Sequence, residues 1–278
     1  MSGSRTILDG WFRGALVAIA AFFAAGVLSA PALAAPRVVS LDQCADEYVL
    51  ALMPADRIAA VSDRAAVPES YYADRARAFP RVRPGIETLL ALHPDAVVRT
   101  WAGDDKLLSA LKRNGISVIT VNDVSNFAQA HDELLRVGHL LGQDDQAAAE
   151  ARAMMASLAG IRHIGNGKSV LYYTPSGYSA GPDTFIGQML QTLGYRLETA
   201  DHGFFYLSPE VLLATTPDVF ALGFYDDPFQ SRRAPGRSAL IRARIDERPH
   251  INLPTRMITC NAWYTAYDLE NVSRGGTT

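Results

Sequence analysis

The sequence is poor in metal-binding side chains and has no excess of basic ones. Its two cysteines and six histidines form no C-x-x-C or H-x-x-x-H pattern of the kind that holds zinc. The 26 Lys and Arg are outnumbered by 29 Asp and Glu, whereas nucleic-acid binders are strongly basic. No glycine-rich phosphate loop is present. We therefore expect no metal site made by the protein, no cofactor and no nucleic-acid partner.

Long apolar runs are missing after the N-terminus. Residues 14–34 read GALVAIAAFFAAGVLSAPALA, behind Arg5 and Arg13, and close on the small-residue pattern Ala32-Leu33-Ala34. This pattern predicts a signal peptide over residues 1–34, cleaved near Ala34, and no cysteine stands there to carry a lipid anchor. A membrane anchor is the alternative, but the unbroken run is shorter than the roughly 20 residues of a spanning helix. We predict a soluble, exported mature protein.

Cysteine is so scarce that at most one intramolecular disulfide can form. Cys44 and Cys260 are the two candidates, and an oxidising compartment would permit the bond. Its formation requires the two Cα atoms to approach within about 7 Å. The sequence does not give that distance, so it leaves open whether Cys44 and Cys260 are bonded.

The remaining residues alternate between short β-branched runs and longer segments of helical period. The runs RVVSL, IAAVS, DAVVR and SVITV are typical of strands, and DEYVLALM and DDKLLSALKRNG are typical of helices. Such alternation predicts a parallel sheet covered by helices, and hence an α/β fold.

The pattern changes between residues 126 and 161, where apolar residues recur only at helical spacing. Either two helices or one long helix interrupted near Gly142 would account for it. A new strand, KSVLYYT, and a helix, TFIGQMLQTLG, then follow. We predict an N-terminal lobe over 35–125, a helical connector over 126–166 and a C-terminal lobe over 167–278.

One unit occurs twice in the chain. Residues 87–98 read ETLLALHPDAVV and residues 210–221 read EVLLATTPDVFA, with Pro-Asp at the same spacing after each glutamate. Proline ends a helix, so each unit predicts a short helix with its glutamate in the first turn, followed by a strand. Glutamate is also common at helix starts for electrostatic reasons alone, which is the simpler explanation of each.

The mature sequence resembles periplasmic substrate-binding proteins of the ferric-siderophore and cobalamin class. The resemblance is carried by VVSLDQCADEYVLALMPADRIAAVSD, the two glutamate units, LKRNGISVITV, the helical connector and SGYSAGPDTFIGQMLQTLG. It implies two Rossmann-like lobes joined by a single long helix, a ligand cleft between them, and delivery to an ABC importer permease in the inner membrane. It also implies that Glu87 and Glu210 dock to the permease, that the protein is a periplasmic monomer, and that it performs no chemistry.

The ligand implied is a metal complex that arrives already chelated: a ferric siderophore, haem or a cobalamin. These three are not separated by the residues. Aromatic rings, arginines and the loop after the first strand supply candidate contacts, although each could instead be core, solvated or a helix cap. The candidates are Asp42, Gln43, Cys44, Arg99, Trp101, Ser179, Phe204, Tyr206, Tyr225, Arg232 and Trp263.

An enzyme is the principal alternative. GYSAG, residues 177–181, matches the G-x-S-x-G pattern of serine hydrolases with Ser179 as nucleophile, and His202 and His250 follow it. In a serine hydrolase the strand runs directly into the first glycine of this motif, and the helix begins at the serine. Here Pro175 and Ser176 separate the preceding strand from the first glycine, and Pro182 precedes the helix. A purely structural or adhesive module is a third possibility, which predicts no ligand cleft.

Overall fold

Two separate parallel sheets form the framework of the molecule. The computed structural model describes residues 36–101, 104–227 and 229–275; the predicted signal peptide therefore lies outside the described residues. In the first sheet the strands are β1 (Val38–Ser40), β2 (Ile58–Ser62), β3 (Arg81–Val82), β4 (Ala96–Arg99) and β5 (Ser117–Thr120). All neighbours are parallel, in the order β3-β2-β1-β4-β5.

The second sheet is built in the same way from the later part of the chain. Its strands are β6 (Ser169–Tyr173), β8 (Arg196–Leu197), β10 (Val219–Gly223) and β11 (His250–Leu253). They are parallel in the order β11-β10-β6-β8. Two further strands, β7 (Tyr178–Ala180) and β9 (Phe204–Tyr206), form an antiparallel pair.

Helices cover both faces of each sheet, which is why the central strands are buried throughout and mostly apolar. Around the first sheet lie α1 (Gln43–Leu52), α2 (Ala73–Ala76), α3 (Ile86–Leu92) and α4 (Asp105–Arg113). Around the second lie α7 (Phe185–Thr192), α8 (Pro209–Ala214) and α9 (Ala239–Asp246). After β11 follow α10 (Thr255–Ile258) and α11 (Thr265–Ser273), and α11 packs on the helix of residues 144–160. The predicted α/β fold with two lobes is confirmed. No helix in the described part of the chain combines the length and apolar character needed to cross a membrane.

The connector consists of two helices, α5 (Phe127–Leu140) and α6 (Asp144–Gly160). Asn126 caps the start of α5, and Gly142 lies between the helices with a φ of +66°. Helix α6 packs closely on α5, since a Cβ placed on Gly138 would lie 2.3 Å from that of Ala147. Of the two arrangements that the sequence left open, the chain adopts the two-helix one, in place of the single long helix that the resemblance implied, and α6 leads into the second sheet.

A disulfide bond and a continuous core connect the two halves. Cys44, in α1, is bonded to Cys260, with the two Cα atoms 5.5 Å apart. Beside it, the ring of Tyr48 packs edge-on against Trp263 at 4.7 Å, and Tyr71 stacks on Tyr264 at 4.3 Å. The two lobes therefore share one buried aromatic cluster at the point where the chain is cross-linked.

Two adjacent carboxylates of α1 are buried next to this cluster. Burial raises the pKa of Asp46 to about 6 and that of Glu47 to about 7. The Glu47 carboxylate accepts hydrogen bonds from the Ser70 hydroxyl and from the backbone N–H groups of Tyr71 and Tyr72. These donors hold the loop after β2 against α1, while burial keeps the charged form costly.

Loss of the disulfide is expected to destabilise the protein strongly. The bond closes a loop with a sequence separation of 216 residues, and a loop of that length restricts the unfolded chain by about 5 kcal/mol in the chain-entropy description. Urea unfolding with and without reductant measures the difference. The double variant Cys44→Ser/Cys260→Ser is the control and should no longer respond to reductant. Equal midpoints for the oxidised and reduced wild type would contradict the expectation.

Glu47 is expected to make stability fall as pH rises. Because its pKa is raised from 4.5 to about 7, the folded protein keeps a proton that the unfolded chain has lost, so the free energy of unfolding decreases between pH 5 and pH 8. The Glu47→Gln variant removes this pH-dependent contribution to the free energy of unfolding, which is on the order of 3 kcal/mol. Urea unfolding across that pH range should give a flatter profile for the variant than for the wild type; parallel profiles would refute the assignment.

Candidate ligand-binding cleft

A cavity of about 380 Å³ lies where the two halves of the chain meet. Its size is within the range of roughly 300–1,000 Å³ that is usual for small-molecule sites. The lining residues come from both lobes: Cys44, Tyr48, Thr100, Trp101, Val121, Asn122, Asp123, Phe204, Ile258, Thr259, Cys260 and Asn261. The disulfide is thus part of the cleft wall.

The first lobe builds its side of the cleft from the carboxyl ends of neighbouring strands. Thr100 and Trp101 directly follow β4, and residues 121–123 directly follow β5. The strand order turns back between β1 and β4, and open parallel sheets bind ligands outside such a reversal. Asp42 fixes this edge, because its carboxylate accepts hydrogen bonds from the Thr100 backbone N–H and hydroxyl, both at 2.8 Å.

Two exposed aromatic rings border the cleft, one from each lobe. Trp101 is 48% exposed and Phe204 is 59% exposed. The Trp101 ring lies near the guanidinium of Arg99, at 5.9 Å from its centroid, and Phe204 is held in β9 opposite Ala180. Large apolar faces left in water at a cleft mouth are suited to a ligand with flat or bulky apolar surface.

The polar part of the lining is neutral except for one carboxylate. Asp123 is the charged member of the described lining, and Asn261 donates to its Oδ1 from the other lobe at 3.3 Å. Asn122 is oriented by Glu133, which accepts from its backbone and side-chain nitrogens at 2.6 and 3.0 Å. Although burial opposes it, hydrogen bonds from Arg136 and Asn122 hold the pKa of Glu133 below its usual value.

Three of the predicted ligand residues, Cys44, Trp101 and Phe204, line this cleft. Asp42 and Gln43 are instead structural. Asp42 caps α1 and binds Thr100, and the buried Gln43 accepts a hydrogen bond from Arg64 through its side-chain oxygen.

Four other predicted contacts lie away from the cleft lining. Arg99 is buried and lines a different cavity, and Arg232 is exposed in its loop. The Tyr225 hydroxyl donates to the Gly236 carbonyl, and Tyr206 packs against Tyr178 at 5.9 Å. The two candidate arginine contacts, Arg99 and Arg232, are therefore absent from the described cleft lining.

Trp263, which the sequence predicted to contact ligand, lies outside the described cleft lining. Its ring is completely buried, and its indole N–H donates to Glu150 on α6 at 3.1 Å. It is a core residue that attaches the second lobe to the connector, because it packs on Tyr48 and α6 at once.

The geometry around Ser179 supports neither a nucleophile nor a ligand contact. Ser179 lies inside strand β7, its side chain is fully buried, and its hydroxyl has no hydrogen-bond partner in the described structure. Helix α7 begins only at Phe185, so no strand-to-helix elbow forms. His202 is exposed and pairs with Asp183, its Nδ1 at 3.3 Å from the carboxylate.

Most polar residues of the cleft were not predicted from the sequence. Asn122 and Asp123 follow β5 just as Trp101 follows β4, so the same rule applied to the next strand would have found them. Thr259 and Asn261 flank Cys260, whose bond to Cys44 lies in the cleft wall, and their local sequence predicts no contact with the first lobe. Tyr48 also lines the cleft, but it lies within α1, and no sequence motif distinguishes it from the core residues of that helix.

The two glutamates of the repeated units are both exposed in first turns, Glu87 in α3 and Glu210 in α8. Ser208 caps α8, and its hydroxyl lowers the pKa of Glu210. Each glutamate has an exposed aliphatic neighbour, Ile86 at 38% and Val211 at 50%. The two surfaces therefore offer the same combination of carboxylate and apolar side chain.

The chain is similar to known binding proteins, by a family model and by individual relatives. A family model described as "periplasmic binding protein" matches residues 38–223. An uncharacterized ABC transporter substrate-binding lipoprotein, YvrC, of Bacillus subtilis (strain 168) is 24% identical over 195 residues, 66% of this chain and 62% of that protein. A cobalamin-binding protein of Halobacterium salinarum (strain ATCC 29341 / DSM 671 / R1) is 27% identical over 151 residues, 51% of this chain and 41% of that protein. The match thus spans less than two thirds of either relative.

A solved structure has the same fold. The periplasmic heme-binding protein RhuT from Roseiflexus sp. RS-1, in its apo form, superposes with a TM-score of 0.65 at 21% identity. The match covers 86% of this chain and 97% of that one. It extends the likeness over both lobes, beyond the residues that the family model matches.

Proposed function

The chain belongs to the periplasmic binding protein family, and from that membership we propose that it is the substrate-binding component of an ABC importer for a metal complex. The observation that carries the proposal is the cleft between the lobes, bordered by Trp101 and Phe204. We take residues 1–34 as the export signal, residues 35–125 and 167–278 as the lobes, and 126–166 as the connector. The protein would act as a periplasmic monomer that binds and releases its ligand unchanged.

The cleft is open enough at Trp101 and Phe204 to admit a ligand larger than the cavity itself. At about 380 Å³ the space is near the lower end of the usual range for small-molecule sites, and both aromatic rings are half exposed at its mouth. A bulky chelate would therefore place one face against Trp101 and Phe204 and leave the rest outside the cavity.

The charge of the cleft favours a neutral or cationic complex. Asp123 is the charged side chain of the described lining, and the remaining polar groups there are amides and hydroxyls. A corrinoid carries amide side chains around a cationic metal centre, and a ferric trihydroxamate is neutral, whereas haem carries two carboxylates that Asp123 would repel. The Halobacterium relative is a cobalamin-binding protein, which supports testing a corrinoid first.

The two glutamate surfaces are proposed to dock the loaded protein on its permease. Carboxylates on an exposed rim pair well with arginines of a partner and fix its orientation. The exposed Ile86 and Val211 beside Glu87 and Glu210 would add apolar contact of equal kind on each lobe. A permease with two similar halves would be recognised by this repeated arrangement.

Cyanocobalamin is expected to bind and to raise the melting temperature. At a concentration about 100 times the dissociation constant, a ligand stabilises the folded state by about 2.7 kcal/mol. The Phe204→Ala variant should bind about tenfold more weakly, since it loses a desolvated aromatic contact. Isothermal titration calorimetry measures the dissociation constants.

The control is Leu240→Ala, which removes an exposed apolar side chain of α9 outside the cleft lining. It should bind as the wild type does. A ferric trihydroxamate and haemin complete the panel: tight binding of haemin with none of cyanocobalamin would overturn the charge argument, and no response to any of the three would overturn the proposed ligand class.

Removal of both docking carboxylates should abolish transport and spare binding. The double variant Glu87→Ala/Glu210→Ala is expected to keep the wild-type dissociation constant, because both residues lie outside the cleft lining. Ligand uptake by cells that depend on this protein should fall about tenfold or more. The control Asp74→Ala/Asp145→Ala removes two exposed acids of other first turns. Uptake by the glutamate variant at the control rate would exclude the docking role.

A further inference from the structure

A second cavity, of about 500 Å³, lies between α4 and the edge strand β5. We name it the α4 groove. It shares no lining residue with the ligand cleft. Its walls combine the apolar side chains of Leu108, Ile116 and Val118 with two cationic ones, Arg99 and Lys112.

Arg99 is an unusual residue for such a wall, because it is charged and only 7% exposed. Its Nε donates to the Thr120 hydroxyl at 3.3 Å, and its guanidinium lies near the face of Trp101 at 5.9 Å. Among residues 36–101, 104–227 and 229–275, no carboxylate comes within 4.0 Å of it. A buried charge without a counter-ion is costly, so this guanidinium is suited to receive an anion.

The sheet register explains how the charge is held in the groove. Arg99 is paired with Thr120 across β4 and β5, and side chains alternate along a strand, so Arg99 shares the α4 side of the sheet with Val97. Val97 packs with Leu107 and Leu111 of α4. The arginine therefore ends β4 on the face where Val97 belongs to the core, and its side chain leaves the sheet on the α4 side.

We propose that the α4 groove binds a small organic anion with an apolar body, such as a carboxylate or a phosphate monoester. The Arg99 guanidinium would receive the oxyanion in bidentate fashion, with the Thr120 side chain beside it. The exposed Lys112 would add a second, weaker positive charge, and Leu108, Ile116 and Val118 would contact the apolar body. This site is independent of the cleft and of the metal complex proposed for it.

Phenyl phosphate is the probe, and the fluorescence of Trp101, which lies against Arg99, is the reporter. Titration of the wild type should change the emission in a saturable way and raise the melting temperature. Inorganic phosphate should bind more weakly, and neutral benzamide should have no effect. The Arg99→Gln variant should lose at least about tenfold in affinity and Lys112→Gln about threefold, while Lys106→Gln, on the same helix but outside the groove, should bind as the wild type does.

Two further variants separate the groove from the cleft and from a folding defect. Phe204→Ala should keep phenyl phosphate binding unchanged, since its side chain lines the cleft and is not among the residues of the α4 groove. Arg99→Gln should fold with an equal or higher melting temperature, because it removes an unpaired buried charge. Should that variant not fold, the contrast between Lys112→Gln and Lys106→Gln decides the matter. An unresponsive wild type, equal affinities in those two lysine variants, or loss of binding in Phe204→Ala would overturn the proposal.

Discussion

The covalent bond between Cys44 and Cys260 fixes the place where the two lobes meet. It joins the first helix of one lobe to the segment after α10 in the other, and both sulfur-bearing residues line the cleft. Thr259 and Asn261 stand on either side of Cys260 and line the cleft together with Asn122 and Asp123, so the bond lies among the polar residues of the cleft. The same cross-link lies beside the shared aromatic core of Tyr48 and Trp263.

This arrangement bears on how a ligand would enter and leave. Lobes connected only by a flexible hinge can open widely, whereas here a disulfide, a two-helix connector and a buried core all act near the same point. If the lobes move apart about the disulfide and the core beside it, the cleft opens on the side away from them, where Trp101 and Phe204 are exposed. The expected motion is a small change at the aromatic mouth and not a large rotation of the lobes.

The fold could be predicted from the sequence because each strand is a short apolar run ended by a turn residue. The runs at RVVSL, IAAVS, DAVVR and SVITV became β1, β2, β4 and β5. The site was harder, because residue type does not determine burial. Trp101 and Trp263 are both tryptophans, yet Trp101 follows a strand at the cleft, whereas Trp263 lies in the core against Glu150. The polar residues around Cys260 reach the cleft through contacts between distant parts of the chain, among them a cross-link over 216 positions, which no local pattern encodes.

Trp101 lies where three surfaces of the first lobe meet. Its ring borders the cleft, packs near Arg99 of the α4 groove, and lines a shallow depression that also contains Glu87. The cleft is acidic through Asp123 and the groove is basic through Arg99, so this one indole separates two environments of opposite charge. A substitution of Trp101 would disturb all three surfaces together. Phe204 lines the cleft and not the groove, and Lys112 lines the groove and not the cleft. Substitutions of these two residues can therefore show at which of the two sites a ligand binds.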